Sequence, residues 1–210
     1  MRVWIVTAGR ISVDSLDFYR TVKPAEGDLV ICADGGFDNA ISFGLAPNIV
    51  IGDMDSIRST VPENIEIIKF PRDKNKTDTH LCVDHAISLG AGEIVLLGTQ
   101  GGRVDHAIAN IMLLRYIAEK GVEGMILAAD SRTCLLASGE TRISRGDSRF
   151  ISIVPISRVC KGVTVLGAKY ELRDVDLEAG DTIGISNEFL VLDVKVSVKE
   201  GELLIIATNE

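Results

Sequence analysis

Two carboxylates one residue apart, Asp53 and Asp55, stand where an apolar run ends, in the segment VIGDMDS at residues 50–56. Side chains alternate along an extended chain, so both acids project to one side. Like charges that close repel unless a cation lies between them, and hard oxygen donors suit Mg²⁺. A lone D-x-D reads equally well as a solvated acidic turn, so its company decides. Three further polar clusters follow apolar runs: Asp34-Gly35-Gly36, DKNKTD at 73–78 and GTQGGRVDH at 98–106. In open α/β sheets ligands gather beyond the carboxyl ends of the strands, which puts all four clusters on one rim. That rim sets Asp34, Asp53, Asp55, Asp73, Asp78 and Asp105 against Lys74, Lys76 and Arg103. It is poor at holding bare phosphate and becomes a triphosphate site once one or two Mg²⁺ ions lie among the acids. Arg103 or a lysine then offsets charge on the transferring group. Gly35-Gly36 and Gly101-Gly102 let backbone approach an anion ahead of a helix start, although each pair alone also reads as a tight turn. A Ser-His-Asp triad is disfavoured, because the chain has three histidines and none has a G-x-S-x-G partner. His80 and His85 read as helix surface or packing residues.

These clusters need a frame. Through about residue 130, apolar strand runs alternate with helical patterns: strands at 3–7, 29–33, 49–51, 65–70, 94–97 and 125–128. Helices are expected after Ser12 or Asp14 through Val22, over 37–43, over 78–89, and from about 104 to Gly121. The last carries Val104, Ala107, Ile108, Ile111, Leu114 and Ile117 as an apolar stripe at helical spacing. Strand–helix alternation implies a mostly parallel sheet covered on both faces. From about residue 133 short β-rich runs (134–137, 150–154, 163–166, 182–185, 190–198, 203–207) are parted by turns such as Arg145-Gly146-Asp147 and Ala179-Gly180-Asp181. That texture predicts an all-β sandwich or barrel. The expected division is an α/β domain over 1–132 and a β domain over 133–210, joined without a Pro/Ser-rich linker.

At 210 residues, 46% hydrophobic and 25% charged, the chain can bury a real core. A net charge of −8 with no long basic cluster argues against a nucleic-acid surface. No apolar run reaches membrane-spanning length, and Met1-Arg2 leads straight into a strand rather than a signal peptide. Cys32, Cys82, Cys134 and Cys160 lack C-x-x-C spacing, and three sit among apolar neighbours, which favours buried reduced thiols. A soluble cytoplasmic protein without membrane or nucleic-acid partners is expected.

The ordered set ADGG (33–36), GDMDS (52–56), KNKTD (74–78) and GGRVDH (101–106) resembles the thiamin pyrophosphokinase family. The likeness continues in GAKYEL (167–172), GISNE (184–188) and VSVKEGELLII (196–206), so it covers nearly the whole chain. It implies transfer of the β,γ-diphosphate of ATP to the thiamin hydroxyl, with release of AMP, by a catalytic α/β domain and a thiamin-binding β domain. It also implies a homodimer in which the partner's β domain completes the thiamin pocket. Carried over by position, Asp53, Asp55 and Asp78 resemble the acids that hold Mg²⁺ and the reacting phosphates. Asp34 with Gly35 and Gly36, Ser56, Lys74, Thr77, Gln100, Arg103 and His106 fall where that family meets the nucleotide. Asp105 matches a residue that orients the substrate or helps accept the hydroxyl proton. Tyr170, Ser186 and Asn187 fall where thiamin is contacted. Two departures stand out: Asn75 occupies a position where Asp is common, and His80 one where Glu is frequent. The only tryptophan, Trp4, is in the first strand, so stacking on thiamin falls to Tyr170, Phe189 or another residue.

Two other readings remain open at this level. DMDS also resembles the D-x-D-x-[TS] pattern of phosphohydrolases, with Asp53 as a covalent nucleophile and Asp55 as acid/base. Against it, the motif follows the third strand rather than the first, and a β domain is left without a role. The second is a non-catalytic nucleotide or thiamin sensor, for which Asn75 is the best hint.

Overall fold

Short, wholly apolar runs become parallel strands because both faces of such a strand are covered. In the computed structural model, which describes residues 1–209, they are β1 (Arg2–Val6), β2 (Leu29–Ala33), β3 (Ile49–Gly52), β4 (Glu66–Lys69), β5 (Glu93–Leu97) and β6 (Glu123–Leu127). They pair in the order β6-β5-β1-β2-β3-β4, all parallel. The chain divides into two compact units, Met1–Ala129 and one beginning at Asp130, and this sheet is the centre of the first. Trp4, Val6, Val30, Cys32, Val50, Val95 and Leu97 face one side, with Tyr19, Phe37, Ala40 and Phe43 of the first two helices. Those helices are α1 (Val13–Thr21) and α2 (Gly36–Phe43), and Tyr19 stacks on Phe43 at 4.3 Å. The alternate residues Ile5, Ile31, Ile51, Ile94 and Leu96 are equally buried. On that side α3 (Asp78–Ser88) packs over β1, β2 and β3, and α4 (Val104–Glu119) over β6. Ser12 caps α1 by accepting from Ser15 N at 3.1 Å, worth about 1 kcal/mol.

The long helix departs from its expected face. Leu114 and Ile117 of the anticipated stripe are buried, with Asn110 and Leu113, but Val104 and Ile108 are 72% and 57% exposed. The helix meets the sheet through its second half only. Its first turns lie over the rim, where helical spacing no longer corresponds to burial.

The second unit is antiparallel throughout: β7 (Ser131–Ser144), β8 (Phe150–Pro155), β9 (Val159–Leu166), β10 (Leu172–Glu178), β11 (Asn187–Glu188) and β12 (Asp193–Thr208). β12 pairs β7 along one edge, and along the other pairs β9 in its first half and β8 in its second. Its core residues are Val194, Val196 and Val198, then Leu203, Ile205 and Ala207, so the inward parity changes midway. β7 changes in step, with Cys134 and Leu136 inward before the break and Ile143 after it. A straight strand would have turned one set to solvent. Irregular residues at Ser138 and Gly139 in β7 (φ 41° and 114°) and at Gly201 in β12 (φ 104°) bend both strands at one level. Both halves thereby cover one core, and the sheet doubles over as the anticipated sandwich.

The strands expected at 190–198 and 203–207 are thus one element. Residues 182–185 form a turn, closed by Ile185 N donating to Thr182 O at 3.0 Å. β10 was not anticipated, because LRDVDLE is dominated by charge and its inward residues, Leu172, Val175 and Leu177, do not keep a strand's alternation.

Gly201 is the residue on which the bend turns. A Cβ there would lie 2.9 Å from Val159 O and 3.0 Å from Cys160 Cα, in a left-handed conformation. Gly201→Ala is expected to destabilise the protein by about 1–3 kcal/mol, read as a lower midpoint in urea unfolding followed by circular dichroism. A midpoint equal to that of the parent would show that the bend does not need glycine.

Candidate active site

The order of strands creates the site. From β1 the chain moves outward through β2, β3 and β4, then returns to place β5 on the other side of β1. Ligands bind at such a switch point, beyond the carboxyl ends. The loops leaving β1 and β5 are laced together: Gly9 N donates to Gly98 O at 2.9 Å and Arg10 N to Gly101 O at 3.0 Å. Asn39 of α2 donates its amide to Thr7 O and Gly9 O at 2.7 and 2.9 Å. Above them opens a cavity of about 760 Å³, walled by the loops after β1, β2, β3, β4 and β5, within the range of small-molecule and cofactor pockets.

The acids converge at one end. Carboxylate oxygens of Asp34, Asp53 and Asp55 lie within 4.8 Å of one another. Asp34 is 7% exposed, in a left-handed conformation at φ 45°, and its buried Oδ1 has no hydrogen-bond partner. A buried, unpaired carboxylate oxygen beside two more carboxylates is costly unless a cation or donor meets it. Three oxygen donors of this kind fit a hard divalent ion. Asp55 N donates to Asp53 Oδ1 at 3.1 Å, closing a small acidic turn. That N–H, with Lys74 and Arg72 nearby, holds Asp53 below the ordinary carboxylate range.

Asp78 lies on the other side of Gly52. A Cβ at Gly52 would come within 2.8 Å of Asp34 Cβ and 3.2 Å of Asp78 Oδ1, so glycine lets the two acids share this space. Asp78 Oδ1 is 3.0 Å from Lys74 Nζ, an ion pair without hydrogen-bond angles. Burial raises the Asp78 pKa, and Asp34 and Asp53 raise it further against the pull of Lys74. The compact trio is therefore Asp34, Asp53 and Asp55, with Asp78 beside it rather than within it.

Cations and helix starts take the rest of the wall. Arg10, Arg72, Lys74, Lys76, Arg103 and His106 all border the cavity, as do Ser56, Thr77, Gly101 and Gly102. Arg103, at the N-cap of α4, makes no side-chain cap, and His106 N donates to Asp105 Oδ1 at 3.0 Å, so the N–H groups left to meet an anion at this helix start are those of Val104 and Asp105. Its guanidinium is clamped by Asp105, Nη2 to Oδ2 at 2.6 Å and Nε to Oδ1 at 3.1 Å. That pairing lowers the Asp105 pKa to about 2. Thr77 Oγ1 caps α3 by accepting from His80 N at 3.2 Å.

Of the residues expected here, Asp34, Asp53, Ser56, Lys74, Thr77, Asp78, Arg103 and His106 line one cavity. Asp55 joins through the carboxylate trio, while Gln100 and Asp105 are exposed outside the lining. Gly35 and Gly36 lie outside the lining, and packing alone requires glycine at 36, where a Cβ would sit 2.1 Å from Val6 O. Asp73 and Asn75 are exposed outside the cavity as well. Lys76, counted among the basic groups of the rim, lines it too, and Arg10, Arg72 and Asn110 line it without having been singled out. The same strand-end rule applied to TAGR after the first strand would have found Arg10. Asn110 was hidden by the apolar pattern of its helix.

In the second unit Tyr170 is 62% exposed. Asn187 is buried and braces it, accepting from Tyr170 N at 2.9 Å and donating to Tyr170 O at 2.8 Å. Ser186, beside it, adopts φ 55°.

Two family models match the chain: thiamin pyrophosphokinase, catalytic domain, over residues 24–126, and thiamin pyrophosphokinase, vitamin B1 binding domain, over residues 140–203. The thiamine pyrophosphokinase of Bacillus subtilis is 28% identical over 191 residues, spanning 88% of this chain and 89% of its own. The crystal structure of the Bacillus subtilis enzyme superposes with a TM-score of 0.86 at 25% identity over the full length of both chains. That of the Geobacillus thermodenitrificans thiamin pyrophosphokinase superposes at 0.83 and 26% identity, covering 100% of this chain and 98% of that one.

The carboxylate trio makes a direct test possible. Asp53→Asn is expected to weaken Mn²⁺ binding about tenfold or more, by loss of one charged ligand, measured by paramagnetic resonance of free Mn²⁺. Unchanged binding in both Asp53→Asn and Asp34→Asn would remove the divalent ion from this site.

Proposed function

The chain belongs to the thiamin pyrophosphokinase family, and from that membership we infer that it moves the β,γ-diphosphate of ATP onto the hydroxyl of thiamin, leaving AMP. It is a kinase-class transferase that makes thiamin diphosphate at the expense of ATP. The observation that most supports the cavity as the place of reaction is the meeting of a carboxylate trio with arginines, lysines and an uncapped helix start in one space.

In this reading Asp34, Asp53 and Asp55 would hold Mg²⁺, with Asp78 next to them for the metal or the reacting phosphates. Bound there, Mg²⁺ neutralises charge on the polyphosphate and eases attack at phosphorus. The protein's own groups do the remainder. Arg10, Arg72 and Lys74 take phosphate oxygens, Ser56, Thr77 and His106 add polar contacts, and the N-terminus of α4 receives an anion beside Gly101 and Gly102. Thiamin's hydroxyl oxygen bonds to the β-phosphorus as the bond from that phosphorus to the oxygen of the AMP moiety breaks, and the hydroxyl proton is released. Such transfers depend on positioning and charge more than on base strength. Asp105, kept strongly acidic by Arg103, accordingly serves by aiming the guanidinium. Gln100 borders the nucleotide.

Thiamin is assigned to the second unit, with Tyr170 stacking on its rings, Ser186 as a polar contact and Asn187 fixing the turn that carries Tyr170. We further place the enzyme as a homodimer, each thiamin pocket completed by the partner's β domain. Exposed Ile183, Leu190 and Leu192 in the second unit are the kind of surface such a contact covers. A cytoplasmic location accords with free cysteines at 32, 82, 134 and 160. No helix among the described residues is long and apolar enough to cross a membrane.

The phosphohydrolase and sensor readings gain no support. Both matched models and the relatives' names describe a pyrophosphokinase, and the β domain left idle by a phosphohydrolase is matched as vitamin B1 binding.

Incubation with ATP, Mg²⁺ and thiamin is expected to yield AMP and thiamin diphosphate in equal amounts, resolved by liquid chromatography. Asp53→Asn and Asp55→Asn should each lower kcat by about a hundredfold or more while the melting temperature is retained. Near-parental rates in both would show that these acids are not the metal centre, and ADP in place of AMP would overturn diphosphate transfer.

A further inference from the structure

Lys76 borders the cavity, yet its ammonium group is held from behind. Its Nζ is ion-paired with Asp84 of α3, and the other carboxylate oxygen of Asp84 accepts from the Tyr116 hydroxyl of α4 at 2.7 Å. The Tyr116 ring also lies 5.7 Å below the Lys76 ammonium, and the His80 ring packs against Tyr116 at 4.6 Å. Lys120 covers Tyr116 at 5.2 Å, closing the cluster toward the end of α4.

A long lysine stem loses rotamer freedom when its head is fixed, and an exposed ion pair seldom repays that loss. Here the carboxylate is itself fixed by a neutral hydroxyl from a second helix, so the lysine is pre-ordered by groups that belong to the scaffold. Lys74, two residues earlier in the same segment, is likewise met by a carboxylate of α3, Asp78. The two cations thus stand side by side on the cavity wall, each set by a different turn of one helix.

We propose that Asp84 and Tyr116 are positioning residues that hold Lys76 as a phosphate-binding cation of the nucleotide cavity, a role that rests on the nucleotide reading given above. Pre-ordering has a defined benefit: the ammonium is in place before the polyphosphate arrives, so binding does not have to order it. Tyr116 contributes through Asp84, and His80 packs on Tyr116 with its Nε2 3.7 Å from the Asp84 oxygen that Tyr116 meets.

ATP and adenosine binding to the full chain, measured by calorimetry with Mg²⁺ and without thiamin, tests this. Lys76→Met and Asp84→Asn are each expected to weaken ATP binding about tenfold, and Tyr116→Phe about threefold, as expected for loss or misplacement of one charge-assisted contact. Adenosine affinity should not change, and Lys76→Arg should retain most of the ATP affinity. In the Lys76→Met background, Asp84→Asn should have no further effect, because its influence passes through the lysine. Additive losses, equal losses for adenosine, or tighter ATP binding in Asp84→Asn would each overturn the proposal, the last by making Asp84 a competitor of phosphate. A parent protein that binds no ATP at all would instead bring down the nucleotide reading, and this inference with it.

Discussion

Crowded negative charge is what the first unit is built to tolerate. Asp34, Asp53 and Asp55 are brought within reach of one another by adjacent strands β2 and β3, and Asp78 approaches from α3 across Gly52. Two residues at this rim, Asp34 and Met54, adopt left-handed backbone, which costs about 1–2 kcal/mol for each non-glycine residue. Nothing local favours such an arrangement. It persists because the strands beneath are clamped between two helix layers, with Ile31, Cys32, Val50 and Ile51 fully buried. The sheet supplies the rigidity, and the loops spend part of it on holding like charges together.

The same logic explains the cations. Lys74, Lys76 and Arg103 are each tied to a carboxylate: Asp78, Asp84 and Asp105 respectively. Side chains so restrained lose less freedom when an anion arrives, and the unliganded rim is kept near neutrality. The cavity is therefore organised less as a positive patch than as a lattice of paired charges into which a metal–polyphosphate complex, its charge reduced by the metal, can be exchanged. A net charge of −8 on the chain does not conflict with this, because the relevant field is local.

Much of the first unit was legible in the residues themselves. Runs such as LVICA and EIVLL have few alternatives to a buried parallel strand, and acids or glycines at their ends mark the ligand rim by topology alone. Less legible were features set by tertiary placement. Val104 and Ile108 continue a helical stripe in sequence but overhang the sheet, and Asn110 interrupts that stripe yet is buried at the cavity wall. Asp84 and Tyr116, thirty-two positions apart, carry no shared motif and meet only because α3 and α4 pack side by side. In the second unit, β10 was concealed by its charges, and the continuity of β7 and β12 was concealed by the change of inward parity at their bend. Asn187 shows the opposite case: its position was marked by sequence likeness, whereas the structure shows its amide engaged with Tyr170 backbone.

The second unit has an unusual dependence on a single strand. β12 is hydrogen-bonded to β7 on one edge and to β9 and then β8 on the other, so three of the five ladders described in that unit run through it. No hairpin can peel away while leaving its neighbours closed. Deuterium should enter the amides of residues 194–207 only when the whole unit opens, giving these positions a common exchange free energy, whereas the ends of β10, tied only to β9, fray independently.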